Sequence, residues 1–341
     1  MNPKAKQNIL VAGAGAIGSL FGGRLSQAGH DVTLIDGWCD HVRAINKKGL
    51  LLTGPDNQVI IAAKALHLDR LGEISRPPQI LLLAVKSYDT EPMLKALAPL
   101  MNRNTWVVSC QNGVNETAIA AAAGRNQTLG CVISFGAKIE GPGHVRQLSR
   151  HGLLTIGQYD GGTDKACMLL PVMSTIASTQ ITDNLLGHRW SKLALNCMGN
   201  PLLTVSGYTI QDMHQDRIAR RVIVKIAAEI IQTADAHGIR IEPIAGLDPA
   251  VWKGAADHPS PKVEKILDDY GRKMGPARSS MVYDIKAGRL SEIDFLNGYV
   301  VRMAEKAGIK ATANAATVAL FKKLSNGEID PDPIHLSSIP T

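Results

Sequence analysis

The sequence predicts an α/β protein in which an N-terminal doubly wound sheet with an antiparallel extension is followed by an all-helical C-terminal domain. Three observations carry this expectation. A strand, glycine turn, helix, strand unit occupies residues 8–36; further short apolar runs follow in α/β rhythm; and from about Asn184 the strand signal gives way to apolar spacing near 3.6. The expected divisions are residues 1–184, 185–329 and a loose C-terminal tail over 330–341. A chain of 341 residues has room for two such domains.

The first unit begins with the apolar run Asn8-Ile9-Leu10-Val11-Ala12, which leads into Gly13-Ala14-Gly15-Ala16-Ile17-Gly18. A helical stretch runs to Ala28, Gly29 closes it, and Asp31-Val32-Thr33-Leu34-Ile35-Asp36 reads as a second strand. Each glycine has a physical purpose here. Gly13 permits the tight turn, Gly15 lets the backbone approach a pyrophosphate, and Gly18 allows the helix to pack closely on the strand. Ala16 and Ile17 open the helix, where unpaired N–H groups face phosphates. Asp36, 18 positions beyond the last glycine, can accept hydrogen bonds from ribose hydroxyls. The unit predicts a Rossmann-type dinucleotide-binding domain. A methyltransferase using the same kind of turn fits less well, given the third glycine and the acid.

Ile80-Leu81-Leu82-Leu83-Ala84-Val85 and Trp106-Val107-Val108-Ser109-Cys110 are short and continuous, as expected of strands buried on both faces of a parallel sheet. Ligands of such sheets bind beyond the carboxyl ends of the strands, which makes Lys86 and Asn112 candidates. After Gly130 the runs Cys131 to Lys138 and Leu153 to Gly157, separated by Gly141-Pro142-Gly143, predict the antiparallel extension. Helices are expected over Leu185 to Met198, Ile218 to His237, Pro261 to Lys273, Ser279 to Lys286, Glu292 to Ala307 and Ala313 to Leu324.

Composition narrows the function. The formal charge of +7 comes with only 4% aromatic residues, so a small anionic ligand is favoured and no nucleic-acid partner is expected. The Arg217, Arg220, Arg221, Lys225 stripe reads as a solvated helix face. No long hydrophobic span suggests a membrane partner, and glycines interrupt the apolar stretch that follows Lys4 and Lys6, unlike a signal peptide. Five cysteines without a CxxC pair fit a reducing cytoplasm. Ten histidines form no HExxH, no serine lies in GxSxG, and no metal is expected.

Hydride chemistry on a dinucleotide leaves the protein to supply a proton donor and a substrate anchor. Lys192 and Asn196, four positions apart in Trp190-Ser191-Lys192-Leu193-Ala194-Leu195-Asn196, share one helix face. A partly desolvated ammonium can protonate a carbonyl oxygen as hydride arrives, although a lysine near a helix start ordinarily snorkels to water. Ser280 and Glu292 each stand at the start of an expected helix. Taken alone, each is better explained by capping or dipole preference than by a substrate contact.

Together, the glycine motif, Ala84-Val85-Lys86, Gln111-Asn112-Gly113, the Lys192 helix, Ser279-Ser280-Met281 and Glu292-Ile293-Asp294-Phe295-Leu296-Asn297-Gly298 resemble the ketopantoate reductase (2-dehydropantoate 2-reductase) family over about Asn8 to Ser325. The resemblance implies an NAD(P)H-dependent reductase of a small anionic 2-oxo acid, with catalysis in a cleft between the domains. It assigns Lys192 as general acid and Glu292 as the acid contacting substrate and forming hydroxyl. It also makes Asn112, Asn196 and Ser280 substrate-holding residues, and places Lys86 and Asn112 at the cofactor. Where NADPH-using relatives often carry an arginine shortly after the second strand, this chain has Ile35-Asp36-Gly37-Trp38, so NAD(H) is favoured over NADP(H). Arg43 is the nearby base that can reach a phosphate. Ala277 and Ile210 stand where relatives with ketopantoate activity carry asparagines, which opens the substrate to related 2-oxo acids. A 3-hydroxy acid dehydrogenase of similar plan and a non-catalytic dinucleotide-sensing protein are the alternatives. The amphipathic helices offer surface for a homodimer.

Overall fold

The computed structural model describes residues 6–341 apart from residue 287, and the side chains of residues 280 and 286 lie outside that description. It divides into two compact units, Met1–Leu185 and Leu186–Thr341.

In the first unit, β1 (Asn8–Ala12), α1 (Ala16–Gln27) and β2 (Asp31–Asp36) form the opening strand, helix, strand motif. There follow α2 (Cys39–Lys48), β3 (Leu50–Thr53), β4 (Gln58–Ile61), β5 (Lys64–His67), β6 (Ile80–Leu83), α3 (Thr90–Leu97), β7 (Trp106–Ser109) and α4 (Glu116–Ala123). The unit continues through β8 (Thr128–Ile133), β9 (Ala137–Gly141), β10 (His144–Gln147), β11 (Leu153–Gln158), α5 (Asp164–Met173) and β12 (Ser178–Thr182). Among the described residues, eight strands make one sheet in the order β12-β11-β8-β7-β6-β1-β2-β5. From β8 to β5 all neighbours run parallel. The strands alternate between two apolar layers. Ile9 and Val11 pack with Leu20, Phe21 and Leu25 of α1, while Leu10 and Ala12 pack with Leu94 and Leu97 of α3 and Ile119 of α4. Helices therefore cover both faces, which is why these strands lack polar alternation.

The extension differs in detail from the sequence expectation. β11 does join β8 antiparallel, but β12 then runs parallel to β11. The hairpin of β9 and β10 leaves the main sheet altogether. It pairs through β10 with β3 to build a second sheet, β4-β3-β10-β9.

In the second unit, α6 (Leu185–Ser206) begins at the boundary between the units, and α7 (Ile210–Gln215), α8 (Arg217–Ala236), α9 (Pro249–Ala255), α10 (Pro261–Met274), α11 (Ser280–Lys286), α12 (Asn297–Lys306) and α13 (Thr312–Ser325) follow. The expected helix from Glu292 to Ala307 is broken. A 3-10 turn spans Ile293–Phe295, and buried Leu296 leaves helical geometry at φ −106°, ψ −103° before α12 begins. A buried carboxylate organises this region: Glu229 of α8 accepts from the Thr312 hydroxyl, the Ala313 and Asn314 backbone N–H groups, and the Asn314 amide at 2.9–3.1 Å. It caps α13 from another helix. Asn314 in turn accepts from Asn297 at 3.0 Å, fixing the start of α12. The tail over 330–341 is not loose. Leu336 and Ile339 are buried, and the Asp332 N–H donates to the Val205 carbonyl at 3.0 Å, because the tail supplies apolar residues to this unit's core.

Candidate active site

In the first unit, the expected cofactor residues stand at the carboxyl ends of four adjacent strands, β7, β6, β1 and β2, which carry Asn112, Lys86, the glycine loop and Asp36 respectively. The chain winds outward from β1 to β2 and β5, then crosses back to β6 and on to β7. The loop thus lies at the point where strand order reverses.

The glycine loop is tied to the sheet by the Gly13 and Ala14 N–H groups, which both donate to the Ile35 carbonyl at 2.9 and 3.1 Å. Gly13 adopts φ +90°, and a Cβ there would lie 2.7 Å from the Val85 nitrogen. At Gly18 a Cβ would lie 1.9 Å from the Gly13 carbonyl oxygen, so only glycine permits this approach of α1. Gly15 is different. A Cβ on it would meet nothing within 4 Å, so protein packing does not explain the glycine. The open space borders the N-terminus of α1, where Ala16 and Ile17 begin the helix without a side-chain cap or an acidic first turn. This arrangement fits a pyrophosphate.

Asp36 is half-buried, and its Oδ1 accepts from the Trp38 N–H at 2.8 Å. Arg43, the base considered for a 2′-phosphate, is ion-paired with Asp40 on its own helix. Lys86 is half-buried and Asn112 exposed. A network not foreseen from sequence fixes their two loops. The Gln111 amide donates to the Val85 carbonyl at 3.0 Å and to Thr90 at 2.8 Å, while the Asn112 carbonyl accepts from Ser87 and from Asn115. The motif Gln111-Asn112-Gly113 contained this signal; its glutamine is the clamp between strands.

In the second unit, Lys192 and Asn196 lie one turn apart on α6, the lysine half-buried and the asparagine buried. Desolvation holds the Lys192 ammonium below its ordinary pKa. Among the described residues, no carboxylate or other acceptor pairs with it. Farther along α6, the Asn200 carbonyl and the Thr204 hydroxyl both meet the buried Ser279 hydroxyl at 3.1 Å. Ser279, which the sequence offers only as the neighbour of Ser280, anchors the entry to α11 beside α6. The next residue, Ser280, opens α11, but its side chain lies outside the described residues. Glu292 is buried immediately before the 3-10 turn, and its carbonyl accepts from Phe295 and Leu296. Tyr299 of α12 packs its ring 5.9 Å from that of Trp190, two residues before Lys192. Ile210 and Ala277, far apart in sequence, are joined by a 2.9 Å backbone hydrogen bond. Among the described residues no group of His, Cys, Asp and Glu could hold a metal ion, and no helix is long and apolar enough to cross a membrane.

Comparison with known proteins supplies the family. Residues 9–161 match the model for ketopantoate reductase PanE/ApbA, and residues 184–325 match that for its C-terminal domain. The chain belongs to the ketopantoate reductase family. As a member it is a nicotinamide-dependent oxidoreductase that reduces a 2-oxo acid. It is 32% identical over 325 residues to a 2-dehydropantoate 2-reductase of Pyrococcus horikoshii, covering 92% of this chain and 96% of the relative. Among solved structures, a PanE/ApbA family ketopantoate reductase of Ralstonia eutropha is similar at TM-score 0.80 and 27% identity, with 94% and 99% of the chains covered. D-mandelate dehydrogenase in a ternary structure with NADH and anilino(oxo)acetate is similar at TM-score 0.80 and 25% identity, covering 94% and 98%.

Proposed function

We propose that this reductase takes 2-oxo acids whose side chains are apolar, that it uses NADH, and that Lys192 is its general acid. The observation that carries the proton-donor assignment is the desolvated ammonium of Lys192, without a partner among the described residues, on the same helix face as Asn196. Bound reduced nicotinamide supplies the hydride to the ketone carbon. Lys192 Nζ gives its proton to the ketone oxygen, and burial favours that step because the neutral amine left behind needs no solvation. Asn196, one turn away, holds the same oxygen or the adjoining carboxylate, and the buried Glu292 carboxylate accepts from the forming hydroxyl. Ser280 is assigned to the substrate carboxylate on the family resemblance. In the first unit, the backbone at Gly13, Gly15, Ala16, Ile17 and Gly18 receives the pyrophosphate, with Lys86 and Asn112 beside it.

Support for NADH is the Asp36 carboxylate at the end of β2, which would repel a 2′-phosphate, together with the pairing of Arg43 to Asp40. Support for an apolar side chain is the Ile210–Ala277 pair, which offers no hydrogen-bonding side chain, and the likeness to a mandelate dehydrogenase bound to a ligand with an aromatic substituent. A pocket without polar partners discriminates poorly in favour of the ketopantoate hydroxyl. We also place the enzyme in the cytoplasm, in keeping with five cysteines that form no CxxC pair, and assign it a homodimeric assembly through its helical unit. The deciding experiment measures kcat/KM on ketopantoate and on branched and aromatic 2-oxo acids with each reduced cofactor. Higher values with the apolar acids and NADH are expected. A preference for NADPH would overturn the role given to Asp36, and a preference for ketopantoate would overturn the apolar pocket.

A further inference from the structure

The glycine loop is supported from beneath by a buried histidine that the reaction does not use. His41 lies in the first turn of α2 and is completely buried. Its Nδ1 accepts from the Gly143 N–H at 3.0 Å. A ring nitrogen that accepts from a backbone N–H carries no proton, so in the neutral ring the hydrogen is on Nε2. Nε2 lies 3.0 Å from Ser19 Oγ, which therefore accepts from it and donates its own hydrogen to the Ala14 carbonyl at 2.6 Å. Donors and acceptors run in one direction from the β9–β10 turn to the glycine loop. Trp38 stacks on the ring at 5.2 Å with planes 8° apart, holding its orientation. Gly143 is at φ +73°, and a Cβ there would lie 3.0 Å from that of Ala44, so the turn reaches α2 because it is glycine.

The end of this chain is the peptide between Ala14 and Gly15. In a planar trans peptide the carbonyl and the following N–H point in opposite directions. Drawing the Ala14 carbonyl toward Ser19 turns the Gly15 N–H the other way, away from α1, and among the described residues no backbone carbonyl accepts it. We propose that His41 is a positioning residue for dinucleotide binding, acting through Ser19 to aim the Gly15 N–H at the pyrophosphate and coupling the second sheet to the loop. This inference rests on the dinucleotide reading of that loop. Desolvation keeps the ring's pKa below 6.5, which maintains the neutral form that the chain requires. The charged group acting on the ring is Asp36 on β2, which opposes that shift, as does the nearby Ala14 carbonyl; Ser19 on α1, Trp38 at the start of α2 and the turn at Gly143 bring no charge.

The test is equilibrium binding of NADH and of NADPH to the full chain, followed by fluorescence and calorimetry, for wild type, Ser19→Ala, His41→Phe and His41→Gln. Ser19→Ala removes one hydroxyl, and with native circular dichroism it should raise Kd for the preferred cofactor about tenfold, the loss of one oriented buried hydrogen bond. His41→Phe should do the same, and His41→Gln, which keeps an N–H directed at Ser19, should recover part of the affinity. KM for the cofactor should rise with kcat at saturation little changed. In ¹⁵N-edited spectra of the wild type, the His41 ring should be the Nε2–H tautomer. A folded Ser19→Ala protein that binds within twofold of wild type, or an Nδ1–H ring, would overturn the positioning role while leaving the dinucleotide site intact. Failure of the wild type to bind either cofactor would overturn the dinucleotide reading itself and this inference with it.

Discussion

Lys192 shows what a helix can do to a single side chain. Its stem is carried on an apolar stretch of α6, and burial withdraws the ammonium from water without a counter-charge among the described residues, so its affinity for a proton falls. A general acid must hold its proton to act. With Lys192 in the proposed role, activity should be present below the lowered pKa and lost as pH rises through it, which would put the basic limb of the kcat profile below the ordinary lysine value of 10.5. Replacing Lys192 with Ala should lower kcat about a hundredfold or more and abolish that limb while the protein stays folded. Steady-state kinetics across pH check both, and near-normal turnover would reject the assignment. The pairing of Lys192 with Asn196 could be seen in the sequence because four positions is one helical turn. The Ser279 anchor could not, since its partners, Asn200 and Thr204, are separated from it by more than seventy residues.

The opening strand, turn and helix were legible because each glycine answers a local steric demand, and the long helices α8, α10 and α13 because their apolar residues repeat at helical spacing. The second sheet was not. Its strands are short, β3, β4 and β10 having four residues each, and the parallel pairing of β3 with β10 joins segments about ninety residues apart. Neither period nor turn chemistry announces such a contact. The break at Leu296 was hidden for a related reason, since apolar spacing continues across it. Within the turn itself, two glycines separate packing from binding. An alanine at Gly18 would drive its methyl into the Gly13 carbonyl oxygen, which is backbone and moves only with the loop, so Gly18→Ala should cost about 1–3 kcal/mol and lower the Tm. Gly15 has φ −62° and open space around its missing Cβ. Gly15→Ala should leave the Tm unchanged and yet weaken NADH binding about tenfold or more, because the methyl would occupy the place proposed for the phosphates. Thermal unfolding with and without NADH separates the two cases, and equal behaviour of the two variants would refute the distinction.

At the scale of the whole molecule, each unit carries a buried histidine held neutral, and that determines how the protein responds to acid. His41 serves the first unit as described. In the second, His214 on α7 packs edge-on against Tyr270 of α10, with ring centroids 5.3 Å apart, and its Nδ1 is buried without a partner among the described residues. Desolvation, aided by the nearby Arg220 guanidinium and opposed by Asp268, brings its pKa down to about 4. Unfolding returns the ring to about 6.5, so between pH 6.5 and about 4 the unfolded chain binds a proton that the folded protein does not. Stability is therefore full above pH 6.5 and declines as pH falls through this window, by up to about 3 kcal/mol for this one group. His41, also lowered by desolvation, acts with the same sign. Replacing His214 with Phe keeps a ring against Tyr270 and removes the titration. Urea unfolding of wild type and His214→Phe at pH 7.5, 6 and 4.5 should show wild type losing stability relative to the variant at each step downward. The basis of that loss is the proton taken up on unfolding, so a constant difference across the three pH values would mean that His214 already titrates normally in the folded unit, and that the contact between α7 and α10 tolerates a charge its apolar packing should exclude.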